Sequence, residues 1–358
     1  MLELLDVAKT VGGDEHIHAT NLAFERGTLN VLLGPTLSGK TSLMRLMAGL
    51  DRPTSGTIRF DGVDVTGMPV QKRNVAMVYQ QFINYPAFTV YENIASPMRT
   101  AGKDKATIDR EVRKAAELLR LTPYLDRTPL NLSGGQQQRT ALARALVKNA
   151  SLVLMDEPLA NLDYKLREEL RAELPKIFAQ SGAIFVYATT EPSEALLLGG
   201  NTATLSQGRV TQFGPTISVY RTPADLTTAK IFADPPLNFI DVVKTGAKFQ
   251  RQGADVFAVP THLSAMADGP VTVAFHPHHL GLSAQTPGAS RLRARTQLSE
   301  ITGSESFVYL DYDGVRWVML AHGIHDIDPD TDIDLFLDAR HLMAFDTDGR
   351  AIASGAKA

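Results

Sequence analysis

Lys40 and Thr41 are the side chains of this 358-residue chain whose setting most clearly specifies a chemistry. They close the segment Gly34, Pro35, Thr36, Leu37, Ser38, Gly39, Lys40, Thr41, which fits the spacing G-x-x-x-x-G-K-[ST] and is followed by Ser42. Ahead of it Val31, Leu32 and Leu33 read as the end of a buried strand. Behind it Leu43, Leu46 and Met47 supply the apolar stripe of a helix. Strand, glycine-bounded loop and helix in that order make a phosphate cradle, in which backbone N–H groups and the helix N-terminus face a phosphate chain. Lys40 would reach the β- and γ-phosphates, and the Thr41 hydroxyl would ligate Mg2+. The bland alternative is a glycine-rich turn that happens to precede a helix; the fitting strand and helix on either side favour nucleotide binding.

Two more segments carry groups of the same kind. Leu132, Ser133, Gly134, Gly135 and Gln136 put a serine and two glycines at a helix start, which is either a second phosphate cradle or an ordinary capped helix. Residues 152–158, LVLMDEP, end a short apolar run in Asp156 and Glu157, adjacent carboxylates at a strand end or simply a solvated turn. With LSGGQ downstream of the phosphate loop, the sequence resembles the ATP-binding subunits of ABC transporters. That resemblance implies ATP and Mg2+ as ligands. It gives Asp156, with Thr41 and Gln80, the metal, and Glu157 the task of polarising the attacking water as general base. It further implies that Gln80 senses Mg2+ and water, that Asp163 in LANLD contacts an opposite subunit, and that the signature at Ser133 completes the site of that subunit. Phe82, Tyr85, Phe88 and Tyr91, in the aromatic stretch after Gln80, match the groove that receives the coupling helix of a membrane subunit; packing of the helical subdomain is the alternative use.

The resemblance runs over the whole chain and is nearest to the carbohydrate-uptake importers of the maltose and glycerol-phosphate type. It implies a RecA-like core sheet, an N-terminal antiparallel β subdomain and a helical subdomain at about residues 82–150, followed by a small all-β barrel regulatory domain of OB-like, or TOBE, type. The sequence FHPHHL at residues 275–280 stands where that barrel usually reads RPEHL, and FDTDGRAI at 345–352 matches its closing strand and turn. His276, His278 and His279, with His322 and His325, invite a metal reading, but the comparison makes them replacements in a structural motif. GPTLSGK together with YATTEPSEA looks like a glycerol or polyol importer that uses two different ATPases. The partners implied are a second ATPase in a heterodimer, two membrane permeases and, indirectly, a periplasmic solute-binding protein, with the chain peripheral on the cytoplasmic face of the bacterial inner membrane.

Three positions depart from the family pattern. Val11 stands where an aromatic residue would stack on adenine, a contact worth roughly 1–3 kcal/mol, unless a partner or nearby His16 substitutes. Leu37 replaces a usual glycine at a position the general loop pattern leaves free. Thr190, in Thr189-Thr190-Glu191-Pro192, aligns with the switch histidine, and a hydroxyl carries neither the charge nor the length of an imidazole. Loss of such a group typically costs about 10²–10⁴ in rate. An asymmetric transporter is therefore expected, in which this chain's own site turns over slowly and its signature serves the partner.

These residues need a scaffold, and the apolar runs supply one. Strands are expected at 2–8, 19–25, 28–33, 57–60, 74–79, 151–155 and 183–188, with helical faces at 104–120, 133–148 and 166–180, the last bent at Pro175. Strands alternating with helices imply an α/β sheet covered on both faces. Near Asp234-Pro235-Pro236 the pattern changes to short alternating segments, 271–275, 307–311 and 316–320, as in a small barrel, so the domains are expected at 1–234 and 235–358. Arg291, Arg293 and Arg295 alternate on one solvated strand face. A length of 358 residues suits two domains. The net charge of -3 gives no reason to expect a nucleic-acid partner, and the lack of cysteine excludes disulfides and cysteine–zinc sites. No signal peptide is evident, and no apolar run approaches the ~18 residues of a membrane span. A soluble ABC ATPase of DNA repair or translation, and a regulatory pseudo-ATPase, are the competing classes.

Overall fold

The structure is a computed structural model that describes residues 1–353 apart from Phe82, Asn161 and Gln285. The chain packs as two compact units, Met1–Thr216 and Ile217–Ala358.

The first unit holds two sheets. One is antiparallel and runs β2 (Asp14–Phe24), β1 (Leu2–Val11), β4 (Ser55–Phe60), β5 (Val63–Asp64). The other has the order β10 (Arg209–Pro215), β9 (Asn201–Ser206), β3 (Leu29–Leu33), β8 (Ile184–Thr189), β7 (Leu152–Asp156), β6 (Val75–Val78). Every residue of β3, β7 and β8 is buried, because parallel strands covered on both faces have no solvent side to make polar. Helix α1 (Lys40–Ala48) sends Leu43, Met44, Leu46 and Met47 into a core shared with Leu4 and Phe24 of the first sheet and Leu32, Leu154 and Val186 of the second.

Helices α2 (Val90–Thr100), α3 (Lys105–Leu118) and α4 (Gly134–Val147) pack on one another. Thr89 with Glu92 and Ser133 with Gln136 close reciprocal capping boxes, and Asp104 caps α3, so each start is fixed by its own sequence. The existence of α2 was not expected from the sequence, since Pro97 sits inside it. Helix α5 (Tyr164–Ser181) runs through Pro175, and α6 (Pro192–Leu198) follows β8.

The second unit opens with α7 (Thr216–Arg221) and α8 (Leu226–Ile231). Ala229 and Leu237 pack with Ala274, Met343 and Phe345, so residues ahead of Pro235 belong by packing to the β-rich unit, and the two units part upstream of the change in composition. A six-stranded sheet joins β13 (Ala254–Ala258), β12 (Lys248–Arg251), β11 (Asn238–Thr245), β14 (Gly269–Phe275), β20 (Met343–Phe345) and β21 (Ala351–Ala353). A five-stranded, barrel-like antiparallel sheet joins β15 (Leu280–Gly281), β19 (Asp332–Leu337), β16 (Ser290–Ile301), β17 (Glu305–Tyr312) and β18 (Val315–His322). Trp317 is fully buried between them, stacked on Tyr312 at 4.3 Å, edge-on to Phe275 at 5.0 Å, and donating from Nε1 to the Phe239 carbonyl at 3.1 Å. Arg291 and Arg293 on β16 pair with Asp334 and Asp332 on β19, and Arg295 with Asp330 just ahead of that strand, all exposed. Such solvated pairs contribute little stability.

Candidate functional site

Strand β3 delivers the phosphate loop at the carboxyl edge of its sheet, where the Gly34 N–H bonds the Thr189 carbonyl at 3.3 Å. Only glycine fits at Gly34: a Cβ there would lie 2.3 Å from the Leu205 carbonyl oxygen. Gly39 caps α1 at φ 104, a region closed to most L residues. Leu37 also has positive φ, at 67, but its side chain is 94% exposed, so nothing obstructs it beyond a backbone cost of roughly 1–2 kcal/mol.

Lys40 is buried, and its ammonium donates to the carbonyls of Gly34 at 2.7 Å and Pro35 at 3.0 Å while lying 3.9 Å from Glu157. Burial pushes its pKa down, and Glu157 and Asp156 oppose that. The Thr41 hydroxyl donates to Asp156 Oδ2 at 2.6 Å. Asp156 is 2% exposed; burial raises its pKa, and its second oxygen, Oδ1, has no hydrogen-bond partner. A buried acceptor left over beside a threonine hydroxyl is what an oxygen-preferring divalent cation satisfies, so Thr41 and Asp156 fit Mg2+, and Gln80 lines the same cavity.

Glu157 follows Asp156 at φ 47, its N–H held by the Ala188 carbonyl at 3.0 Å and its Oε2 accepting from Gln80 Nε2 at 3.1 Å. Burial raises its proton affinity and Lys40 lowers it. Adjacent carboxylates thus face different surroundings. Asp156 is locked to Thr41, whereas Glu157 lines a cavity of ≈ 520 Å³ together with residues Thr36 to Ser42, Gln80, His16 and, unforeseen from the sequence, Glu15, Gln207 and Gly208. A carboxylate so placed can take a proton from a water that attacks a phosphate.

Val11 and Thr190 do not line this cavity. Val11 is exposed where β1 turns into β2, and Thr190 is exposed after β8. The signature residues also lie outside it: Leu132 is buried, Ser133 and Gly134 are exposed, and Ser133 accepts from the Gln136 N–H at 3.4 Å. Asp163 is exposed and caps α5, accepting from the Leu166 N–H at 3.0 Å.

Phe82 lies outside the described residues. Tyr85 and Phe88 are exposed with ring centres 5.4 Å apart, whereas the Tyr91 hydroxyl turns toward α3 and donates to Asp109 at 3.3 Å. Among the described residues of this group, Tyr85 lines a pocket of ≈ 290 Å³, beside Arg144 and Lys148.

Two sets of residues escaped the sequence reading. Gln138 on α4 donates to the Pro158 carbonyl at 2.8 Å and so ties the signature helix to the loop that carries Glu157. Glu194, buried, accepts from Thr189 at 2.6 Å, Tyr187 at 3.1 Å and Arg171 at 3.1 Å, pinning the strand end that holds both Gly34 and Glu157. Periodicity marks such positions as inward-facing without saying that they are polar anchors.

Loop, lysine, threonine and paired carboxylates on this sheet define a P-loop nucleoside triphosphatase. Residues 17–160 match the family model described as ABC transporter. The chain is 36% identical to the trehalose/maltose import ATP-binding protein MalK of Thermococcus litoralis, over 98% of this chain and 99% of the relative. It is 34% identical to the sn-glycerol-3-phosphate import ATP-binding protein UgpC of Rhizobium meliloti, again over 98% and 99%. A dimeric ATP-binding cassette in a post-hydrolysis state with ADP and Pi superposes with a TM-score of 0.56 at 27% identity, covering 60% of this chain and 99% of that one. The chain belongs to the ABC transporter family, as one of its ATP-hydrolysing subunits.

Proposed function

We propose that this chain is the ATP-binding subunit of an importer for a small polar solute, a sugar or polyol with glycerol favoured, working on the cytoplasmic face of the bacterial inner membrane. The observation that carries the reading is the convergence of Lys40, Thr41, Gln80 and Glu157 on one cavity, with Asp156 hydrogen-bonded to Thr41. Bound Mg2+, held by Thr41, Asp156 and Gln80, would neutralise phosphate charge. Lys40 exchanges the carbonyls of Gly34 and Pro35 for phosphate oxygens, Gln80 holds Glu157 in position, and Glu157 accepts the proton of the attacking water. The exposed Ser133 and Asp163 are presented to an opposite cassette, and Tyr85 and Phe88 to a permease. No helix among the described residues is long and apolar enough to cross a membrane. As in the import ATP-binding proteins it resembles, the chain works with two partner permeases, fed by a periplasmic binding protein. In vesicles reconstituted with those partners, ATP-dependent uptake of glycerol, compared with maltose and glycerol phosphate, tests the assignment; no ATP-dependent uptake of any sugar or polyol overturns it.

A second reading is favoured by Val11 and Thr190, which bring no aromatic ring and no imidazole and stand outside the cavity. In this reading the chain pairs with a different ATPase, turns over slowly itself and completes the faster site with its signature. Substituting the catalytic glutamate in each subunit separately checks this. Glu157→Gln is expected to leave measurable transport where the partner's equivalent change leaves none, and equal abolition by both contradicts asymmetry.

A further inference from the structure

We propose that the second unit carries a binding site for a phosphate group, in the histidine-lined cavity beside the turn Pro277–His279. The cavity has a volume of ≈ 520 Å³ and is lined by His278, His279, His322, His325 and His341. Their rings crowd together: His278 and His279 are 4.3 Å apart between centres, and His279 stacks on His341 at 3.9 Å and 16°. Behind them His276 lies 5.4 Å from His278 and 5.2 Å from Tyr220. His279 Nδ1 is buried with no hydrogen-bond partner.

The cavity presents imidazole N–H donors and, among the described residues, no carboxylate free to accept from them. Asp338, the acid that lines the cavity, is already spent: Arg340 donates to it at 2.6 Å and 2.9 Å, and the Thr286 hydroxyl at 2.9 Å. Glu305 stands 3.8 Å from His322, and His325 Nε2 pairs with the His322 carbonyl at 2.9 Å. Asp338 acts on His279 only from a distance, and among the described residues no carboxylate is hydrogen-bonded or ion-paired to His278, His279 or His341. Burial, and then mutual repulsion, hold His276 down to about 4 and His279 down to about 3, with His278 below its ordinary value as well. His276, His278 and His279 stand neutral near pH 7, each with one N–H to give.

A metal does not suit this arrangement. Stacked rings carry their lone pairs in near-parallel planes that do not meet, and among the described residues no three His, Cys, Asp or Glu side chains are placed to hold a metal ion. A tetrahedral dianion does suit it. Its oxygens accept from several separate donors, and its negative charge offsets the burial and the repulsion that keep the imidazoles unprotonated, so one ring takes a proton as the anion enters.

Calorimetric titration of the full chain with inorganic phosphate tests the site, with the nucleotide cavity filled by a non-hydrolysable ATP analogue so that the phosphate loop does not contribute. At about pH 8, where the free ion is already mainly the dianion, we expect saturable binding and a heat that differs between buffers of unlike ionisation enthalpy, by about one proton per anion. Affinity should stay nearly level from about pH 6 to 7, where the ion brings that proton with it, and fall toward tenfold per pH unit above about pH 7. His279→Gln and His341→Gln should each weaken binding at least tenfold, with folding followed by emission of the single tryptophan, Trp317. Methyl phosphate in parallel separates the sources: tighter binding of the ester points to a phosphorylated metabolite, tighter binding of the inorganic ion to free phosphate. No saturable binding, a heat independent of buffer, or equal binding of uncharged glycerol overturns the proposal. The buffer dependence is read on the wild-type chain and decides even if both variants misfold.

Discussion

Glu157 and Leu37 both sit in the left-handed region of backbone space, for different reasons. At Glu157 the conformation aims a carboxylate into the cavity, and the Ala188 carbonyl and Gln80 hold it there. At Leu37 the side chain points into solvent, so the residue matters little. Leu37→Gly relieves a strained conformation but adds backbone freedom to the unfolded chain, and the two nearly cancel. Thermal unfolding should therefore shift by an amount equivalent to less than about 1 kcal/mol, and titration should show ATP affinity within about threefold of wild type. The phosphate loop was legible in the sequence because its spacing encodes its geometry. Gln138, Glu194 and Arg171 were not, because a buried polar partner is set by which strand end lies opposite, and no local pattern records that.

At the level of elements, the loop between β6 and α2 is organised by one buried side chain. Asn93 donates to the carbonyls of Tyr85, Phe88 and Thr89 at 3.1, 3.1 and 3.0 Å, and accepts from the Tyr85 N–H at 2.8 Å and from Arg144 at 3.3 Å. Tyr85 is placed by these bonds, and Arg144 of α4 lies over its ring at 4.9 Å. Asn93→Ala leaves several of those groups buried and unpaired, which should cost about 3 kcal/mol in a denaturant titration. The same variant should lower solute uptake per ATP hydrolysed more than it lowers hydrolysis, since it loosens the surface we assign to the permease. The buried parallel strands were readable as continuous apolar runs. Helix α2 was not, because Pro97 and the polar Asn93 and Ser96 break its apolar face.

For the molecule as a whole, the histidine stack gives the second unit an acid limit. His276 and His279 titrate in the folded chain below a free histidine, so the unfolded chain takes up protons first as pH falls. Their contribution to stability is complete above about pH 6.5 and is lost toward pH 4, on the order of 3 kcal/mol for His276 alone. Calorimetric unfolding across that range should show the second unit melting progressively earlier. His276→Phe, which keeps a ring against Tyr220, should flatten the dependence. The division into two units was visible as a change in sequence pattern near Asp234. Packing placed it earlier, at Thr216, because the apolar residues of α8 face β14 and β20.

The central claim is that the cavity around Lys40 and Glu157 binds and splits ATP. Single-turnover hydrolysis of Mg-ATP by the purified chain, compared among wild type, Lys40→Ala and Glu157→Gln, measures it directly. Lys40→Ala should weaken binding at least tenfold. Glu157→Gln should bind ATP within a few-fold of wild type and hydrolyse it about 10²–10⁴ times more slowly. Hydrolysis by Glu157→Gln at the wild-type rate would contradict the assignment of the base, and unchanged binding by Lys40→Ala would contradict that of the site.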